Sequence, residues 1–368
     1  MRDGLTLVEL LVVVFMSLIV TGVAFSIYRL NASYYYKEDS FLQQSQNLRV
    51  ALYTITRDVR MAGNGISVLG SSVQLVRAYS PTKETKTGDA SPITDTNTTP
   101  SWFRYADGTD DGIMGLYGID GGTVNADTIT IFRAEAESGN SLAKVSSDPS
   151  GSTLYLSEDL PDKAVLPLDI IAVANGSDAV LLQVDDSFVE GSNEIPIKLN
   201  GRFTPSTLSF GFPFTFAGAY LYNFRDVSFV TYYVDQTKNQ LMADYHDNGR
   251  TGWDDTARQS FIVAYNIEDM QIYYFYNEDT VDMAALTTTP DVSFARLEKD
   301  PVKAVTVGLT SKAPYGEGPC TQQRPRLFNR LQDHPGMTSP NCSILDNHPR
   351  SVLVQTVFLR NFQRIALP

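Results

Sequence analysis

The sequence predicts an α+β protein in which one long N-terminal helix packs on a β-rich, mainly antiparallel head. Three observations predict it. Leu10 to Tyr28 is a run of nineteen uncharged, mostly apolar residues, and no proline occurs before Pro81 to break a helix that contains it. Beyond that run, apolar residues recur on a helical period as far as Ala62. From residue 65 onward the pattern becomes short β-branched and aromatic segments bounded by Gly, Asn, Asp and Pro, without the strand–helix alternation of a doubly wound parallel sheet.

The apolar run comes first. Nineteen residues at about 1.5 Å rise span nearly the ~30 Å hydrocarbon core of a bilayer, so Leu5–Tyr28 is a membrane-anchor candidate. A secretory signal would carry a basic n-region and small residues before a cut on its far side. Here Arg2 is offset by Asp3, and Ser26-Ile27-Tyr28-Arg29 lacks an A-x-A pattern. Glu9 lies inside the apolar segment. A carboxylate in lipid costs a few kcal/mol or more, so intramembrane acids tend to be functional and to have partners. No Lys or Arg lies within helical reach of Glu9 on the lipid side, which directs the expectation to another chain or to a newly made N-terminus.

The second half of the helix is amphipathic. Tyr34, Phe41, Leu48, Leu52, Ile55, Val59 and Ala62 form an apolar stripe, with Lys37, Asp39, Gln43, Gln46, Arg49 and Arg57 filling much of the remaining surface. Gly63-Asn64-Gly65 supplies the stop. Lipid suits the front half and a β-sheet laid on the stripe suits the rear. Gly22 is a tolerated lone glycine.

In the head, strands are expected at Val73–Ala78, Thr128–Arg133, Asp169–Ala174, Ala179–Val184, Val227–Val234, Gln240–Ala243, Met270–Tyr276, Val302–Thr310 and Val352–Leu359. Asn175-Gly176-Ser177-Asp178 is a hairpin connection between two of them. Thr82–Ser101 reads as a Thr/Pro/Asp-rich loop.

At the N-terminus, Gly4 followed by Leu5-Thr6-Leu7-Val8-Glu9-Leu10 resembles the type IV prepilin motif. The resemblance implies cleavage after Gly4 by a prepilin peptidase, methylation of the new N-terminus at Leu5, and retention of the apolar segment. It also implies that Glu9 pairs with a neighbouring subunit's N-terminal amine during filament assembly. Leu5 replaces the commoner Phe, and the four-residue leader carries Asp3 where the family prefers basic residues. Further segments are similar to the PilW-like minor pilins: Arg57-Asp58-Val59-Arg60-Met61-Ala62-Gly63, Asp127-Thr128-Ile129-Thr130-Ile131, the hairpin of residues 169–184, Val230-Thr231-Tyr232-Tyr233-Val234, Ile267-Glu268-Asp269-Met270-Gln271-Ile272, and Thr356-Val357-Phe358-Leu359-Arg360-Asn361. The insertions at 82–126 and 311–350 are less like that pattern.

The resemblance divides the chain into a leader (1–4), a stem (5–64) and a head (65–368) exposed to the periplasm and cell surface. Its implied partners are other minor and major pilins, the prepilin peptidase and an inner-membrane assembly platform. The pseudopilins of type II secretion share the same N-terminal chemistry. A tip adhesin or a membrane-tethered periplasmic enzyme are the readings from other classes.

Chemistry in the head is sparsely signalled. Asp107-Gly108-Thr109-Asp110-Asp111-Gly112 opens like a calcium loop, but Gly118 stands where a bidentate Glu belongs. Asp244-Tyr245-His246-Asp247-Asn248-Gly249 has Asp255 at the closing position and a poor ligand in His246. Acidic turns with Gly are common in β proteins, so Asp107, Asp111, Asp244 and Asp255 are weak candidates, and no other cofactor is expected. Phe210, Phe212, Phe214 and Phe216 alternate, as in a strand with one aromatic face, either buried in the core or, with Pro213 hinting at an edge, exposed for docking. Cys320 and Cys342 lie in a proline-rich segment. In an exported head a disulfide is the simplest reading, with free thiols the alternative.

No nucleophile elbow, HExxH, Walker loop or dinucleotide fingerprint occurs, and His246, His334 and His348 lie in polar segments, so catalysis is not expected. The acid pairs Asp185-Asp186 and Asp254-Asp255 read as turns. The chain's formal charge is −13, which disfavours nucleic acid as a bulk partner. Residues 1–64 hold six basic and five acidic side chains, net +1, so the head carries −14. A near-neutral stem thus bears an acidic cap.

Overall fold

The computed structural model describes residues 7–63, 75–77, 79–80, 101–102, 116–119, 126–136, 141–176, 178–199, 204, 207–208, 214–245, 259–276, 302–312 and 350–359. Helix α1 is continuous over Leu7–Arg60, 54 residues or about 81 Å long, and runs through Gly22 without a break. Its front half is exposed, and within it hydroxyls bond back to the helix: Ser17 Oγ to the Val14 carbonyl (2.8 Å), Thr21 Oγ1 to Ser17 (2.7 Å) and Ser26 Oγ to Gly22 (2.9 Å). These bonds satisfy the hydroxyls without water, as a lipid environment requires.

The helix ends where the sequence places its stop. The Met61 and Ala62 amides tighten onto the Asp58 and Val59 carbonyls, Gly63 adopts φ +69°, and its amide leaves the helix for the Phe132 carbonyl (2.9 Å). A left-handed glycine therefore converts the last helical turn into a contact with the head.

In chain order the first strands are β1 (Leu75–Arg77), β2 (Tyr79–Ser80), β3 (Ser101–Trp102), β4 (Leu116–Ile119) and β5 (Thr128–Ala136). Next come β6 (Ala143–Ser150), β7 (Thr153–Leu156), β8 (Ile170–Asn175), β9 (Asp178–Gln183) and β10 (Glu194–Pro196). The rest are β11 (Tyr220–Asp235), β12 (Gln240–Tyr245), β13 (Gln259–Tyr265), β14 (Ile267–Tyr276), β15 (Val302–Lys312) and β16 (Arg350–Phe358). All nine expected strands are present. Among the described residues pairing is antiparallel except for β1 on β9. The expected hairpin joins β8 to β9, with Asn175 opposite Asp178 and Gly176 at φ +63°.

Strand β11 organises the head. Its first residues, Tyr220–Phe224, pair with β8, and beyond a register shift between Phe224 and Asp226 its second part pairs with β5 and β12. A bulge bends a strand, and here the two parts serve two cores. Leu221 belongs to a distal core with β6 to β10, including Val145, Leu154, Ile171, Val173, Val180, Leu182 and Ile195. Val230, Tyr232 and Val234 belong to a stem core, which they share with Leu48, Ala51, Leu52, Ile55 and Val59 of α1 and with Ala62 in the turn after it.

The three-stranded sheet β14–β15–β16 contributes Met270, Ile272, Val305, Val307, Leu309 and Val357 to the same stem core. Alternation on β14 gives Tyr273 and Phe275 to a smaller cluster with Ala304 on its other face. Asp127 ties this sheet to the larger one: its carboxylate accepts the Ile272 amide (2.8 Å) and its own amide donates to Met270 (2.9 Å). Directly opposed threonines fix register in both sheets, Thr130 with Thr231 (2.8 Å) and Thr306 with Thr356 (2.7 Å).

Two expectations need correction. On α1 the stripe is buried only from Leu48 onward; Tyr34 and Phe41 are exposed, and Ser40 and Gln44 occupy the buried flank instead. The contact there is with the C-terminal end of β15, where Gln44 Nε2 donates to the Ser311 carbonyl (2.7 Å). Heptad spacing keeps Phe41 near the stripe, but at that height the head meets only the neighbouring side of the helix.

The second correction concerns the aromatic run. Phe214-Thr215-Phe216 is irregular chain, not strand; Phe216 is buried in the distal core, and Phe214 meets it edge-on at 5.0 Å. Phe210 and Phe212 lie outside the described residues. The irregular backbone is held by Asp148 of β6, whose carboxylate accepts the Phe216 (2.9 Å) and Ala217 (3.1 Å) amides. Asp148→Ala is expected to lose about 1 kcal/mol, because two amides lose a charged acceptor at a solvent-accessible position. Urea unfolding of the full chain in detergent reads it, and a cost near zero would remove the anchoring role.

Candidate functional site

The features with functional potential lie along α1. Gly4 and Leu5 fall outside the described residues. Glu9 is in the first turn of α1, where a carboxylate is favoured by the partial positive charge of the helix N-terminus. The segment behind it is long and apolar enough to cross a membrane and is not buried against the head. The helix is therefore divided: an unburied apolar half, then a half docked into a protein core.

What fixes the docked half is a buried carboxylate on the apolar stripe. Asp58 is fully buried. Its Oδ1 accepts the Arg57 Nε–H (3.0 Å) and lies 3.5 Å from Arg133 of β5, while Oδ2 accepts the Tyr232 hydroxyl of β11 at 2.7 Å. Three elements thus converge on one side chain. The hydrogen bond to Asp58 and its charge raise the Arg57 guanidinium further above its already high range. Burial, reinforced by the Asp58 charge, pushes the Tyr232 phenol well above its ordinary value, so it remains a donor at any accessible pH. Arg133 faces Ser228, four positions along from Tyr232, so a helix end carrying Asp58 reaches both groups at one height only, and the cluster sets the register of stem on head. A signal for it existed: Asp58 follows Ile55 by three residues and so sits on the buried face of an otherwise apolar stripe.

Of the remaining candidates, Asp244 and the Asp185-Asp186 pair lie among the described residues. Asp244 lies within β12, buried, with Ser260 Oγ donating to its Oδ1 at 3.4 Å. Asp107, Asp111 and Asp255 lie outside the described residues, as do Cys320, Cys342 and all three histidines. Among the described residues no group of three His, Cys, Asp or Glu side chains is placed to hold a metal ion. Asp185 of the Asp185-Asp186 pair caps a turn: its Oδ1 accepts the Ser187 amide (3.0 Å) and hydroxyl (2.6 Å), and these bonds hold its carboxyl below the ordinary range.

No family model matches the chain, and no curated protein or solved structure is significantly similar to it.

Proposed function

We propose that the chain is a minor pilin of a type IV pilus, cleaved after Gly4, held in the bacterial inner membrane by the front half of α1 with its head in the periplasm, and then built into the filament. One observation carries this reading. A single unbroken helix has an unburied apolar half with Glu9 in its first turn, and a second half locked into an acidic β-rich head. A membrane tether alone has no use for a carboxylate at the end of its apolar helix, against the hydrocarbon edge, or for about 81 Å of continuous helix. A subunit whose anchor must leave lipid and pack among like helices has a use for both. The head would present lateral contacts to other pilins, in the complex that primes assembly or at the tip.

The test is Gly4→Ala. It should leave the leader on the mature chain, read by mass, and abolish piliation in a strain carrying only this copy. Pili formed normally on an unprocessed chain would overturn the reading. A strain that keeps its pili but loses protein secretion would move the chain to the type II pseudopilins.

A further inference from the structure

Just beyond the apolar run, Tyr34, Tyr35 and Tyr36 are 64%, 73% and 71% exposed. Consecutive helical residues point about 100° apart, so these three rings surround most of the helix at a single height instead of lining one face. Lys37, Glu38 and Asp39 follow immediately. They occupy the i+3 and i+4 positions from Tyr34 and Tyr35 and the i+3 position from Tyr36, so a full turn of charge separates the rings from the next apolar residues, Phe41 and Leu42. A girdle at one height, with an apolar rod on one side and charge on the other, has the geometry of a membrane–water boundary, where amphipathic aromatic rings concentrate.

The distances agree. If the hydrocarbon core begins near Leu10, its ~30 Å take up about 20 residues and end near Leu30. Tyr34 to Tyr36 then stand about 6–9 Å past that edge, and the headgroup layer is roughly 5–8 Å thick on each side. Helical side chains lean toward the helix N-terminus, here toward the bilayer, which brings the rings back into the layer. Tyr28, 70% exposed, sits at the hydrocarbon edge itself.

We infer that Tyr34, Tyr35 and Tyr36 form an interfacial belt that binds the lipid headgroup layer on the head side and sets how deep α1 sits before assembly. This rests on the membrane-anchor reading of the front half. The partner is the bilayer surface, and the rings hold the head a fixed height above it.

The experiment places single reporters in the full chain, reconstituted in phosphatidylcholine vesicles brominated at defined acyl carbons. Tyr35→Trp reports the belt, Phe15→Trp the span and Tyr53→Trp the stem. The emission of Trp102 and Trp253 is removed by subtracting the unsubstituted chain. The Tyr35 reporter should be blue-shifted and lose most intensity to bromines nearest the headgroup. The Phe15 reporter should lose most to deep bromines, and the Tyr53 reporter should be unaffected. A red-shifted, unquenched Tyr35 reporter beside a quenched Phe15 reporter overturns the belt alone and leaves the rings to a protein partner. Neither reporter quenched overturns the anchor and the belt together. A Tyr53 reporter quenched like Tyr35 would mean that the stem lies along the surface, which also overturns the belt.

Discussion

Asp58→Ala is expected to lower the stability of the head by about 3 kcal/mol, read as a fall in the urea midpoint of the full chain in detergent. The estimate follows from what each partner loses. Arg57 is half exposed and can turn to water, so its loss is small. Arg133 is 27% exposed and loses the Asp58 carboxylate from a largely dry position. The Tyr232 hydroxyl, at the bottom of the stem core, is left with Tyr245 beside it but no charged acceptor. Tyr232→Phe should cost less, about 1–2 kcal/mol, because the two arginines still hold the carboxylate. In the double variant the costs should fall short of their sum, since each single change already breaks the same bond. A cost for Asp58→Ala below about 1 kcal/mol would show that packing alone seats the stem.

This cluster also marks the limit of what was legible in the sequence. Periodicity identifies which face of a helix is buried, and it did so from Leu48 to Ala62. It does not say at what height the partner sheet begins, because the partner lies far away along the chain. Gln44 finds its acceptor at Ser311, 267 positions on. Tyr34 and Phe41 continue the same stripe on paper, yet both are exposed, and the buried positions at that height are Ser40 and Gln44.

Strands were legible where β-branched residues alternate or run together, as in Ile170–Asn175 and Val302–Lys312. They were missed where few side chains carry the burial. Strand β6 (AKVSSDPS) keeps only Ala143 and Val145 inside and includes a proline, and β10 is three residues centred on Ile195. The Tyr220–Phe224 part of β11 was hidden for a different reason. Its Tyr220, Tyr222 and Phe224 alternate as in a strand, but Asn223, a residue usual in turns, interrupts them; here it is buried and donates to the Ala164 carbonyl (2.7 Å) and the Asp169 carboxylate (3.1 Å). At the candidate site, Glu9 is legible because an acid is conspicuous among apolar residues. Arg133 and Tyr232 are ordinary strand residues until Asp58 is brought between them.

Glu9→Ala is expected to reduce the chain recovered in sheared filaments about tenfold or more, a change of ~1.4 kcal/mol or larger, while leader removal proceeds normally. In the pilin reading the carboxylate and a neighbour's N-terminal ammonium share a low-dielectric space between apolar helices. Apolar helices sliding along one another bury similar area at many heights, so area alone specifies the axial position poorly. A charge pair corrects this through its penalty: a subunit one turn out of place leaves both charges in hydrocarbon without a counter-charge, which costs several kcal/mol. Glu9→Gln keeps the volume and hydrogen-bonding capacity and should fall between wild type and Ala. Glu9→Lys would set two cations together and should incorporate least. Every variant should remain in the membrane fraction, because Leu10 to Tyr28 is untouched. Normal incorporation of Glu9→Ala would dismiss the charge pair. An unprocessed Glu9→Ala chain would relocate the role of Glu9 to the peptidase step, where Gly4→Ala should then have the same phenotype.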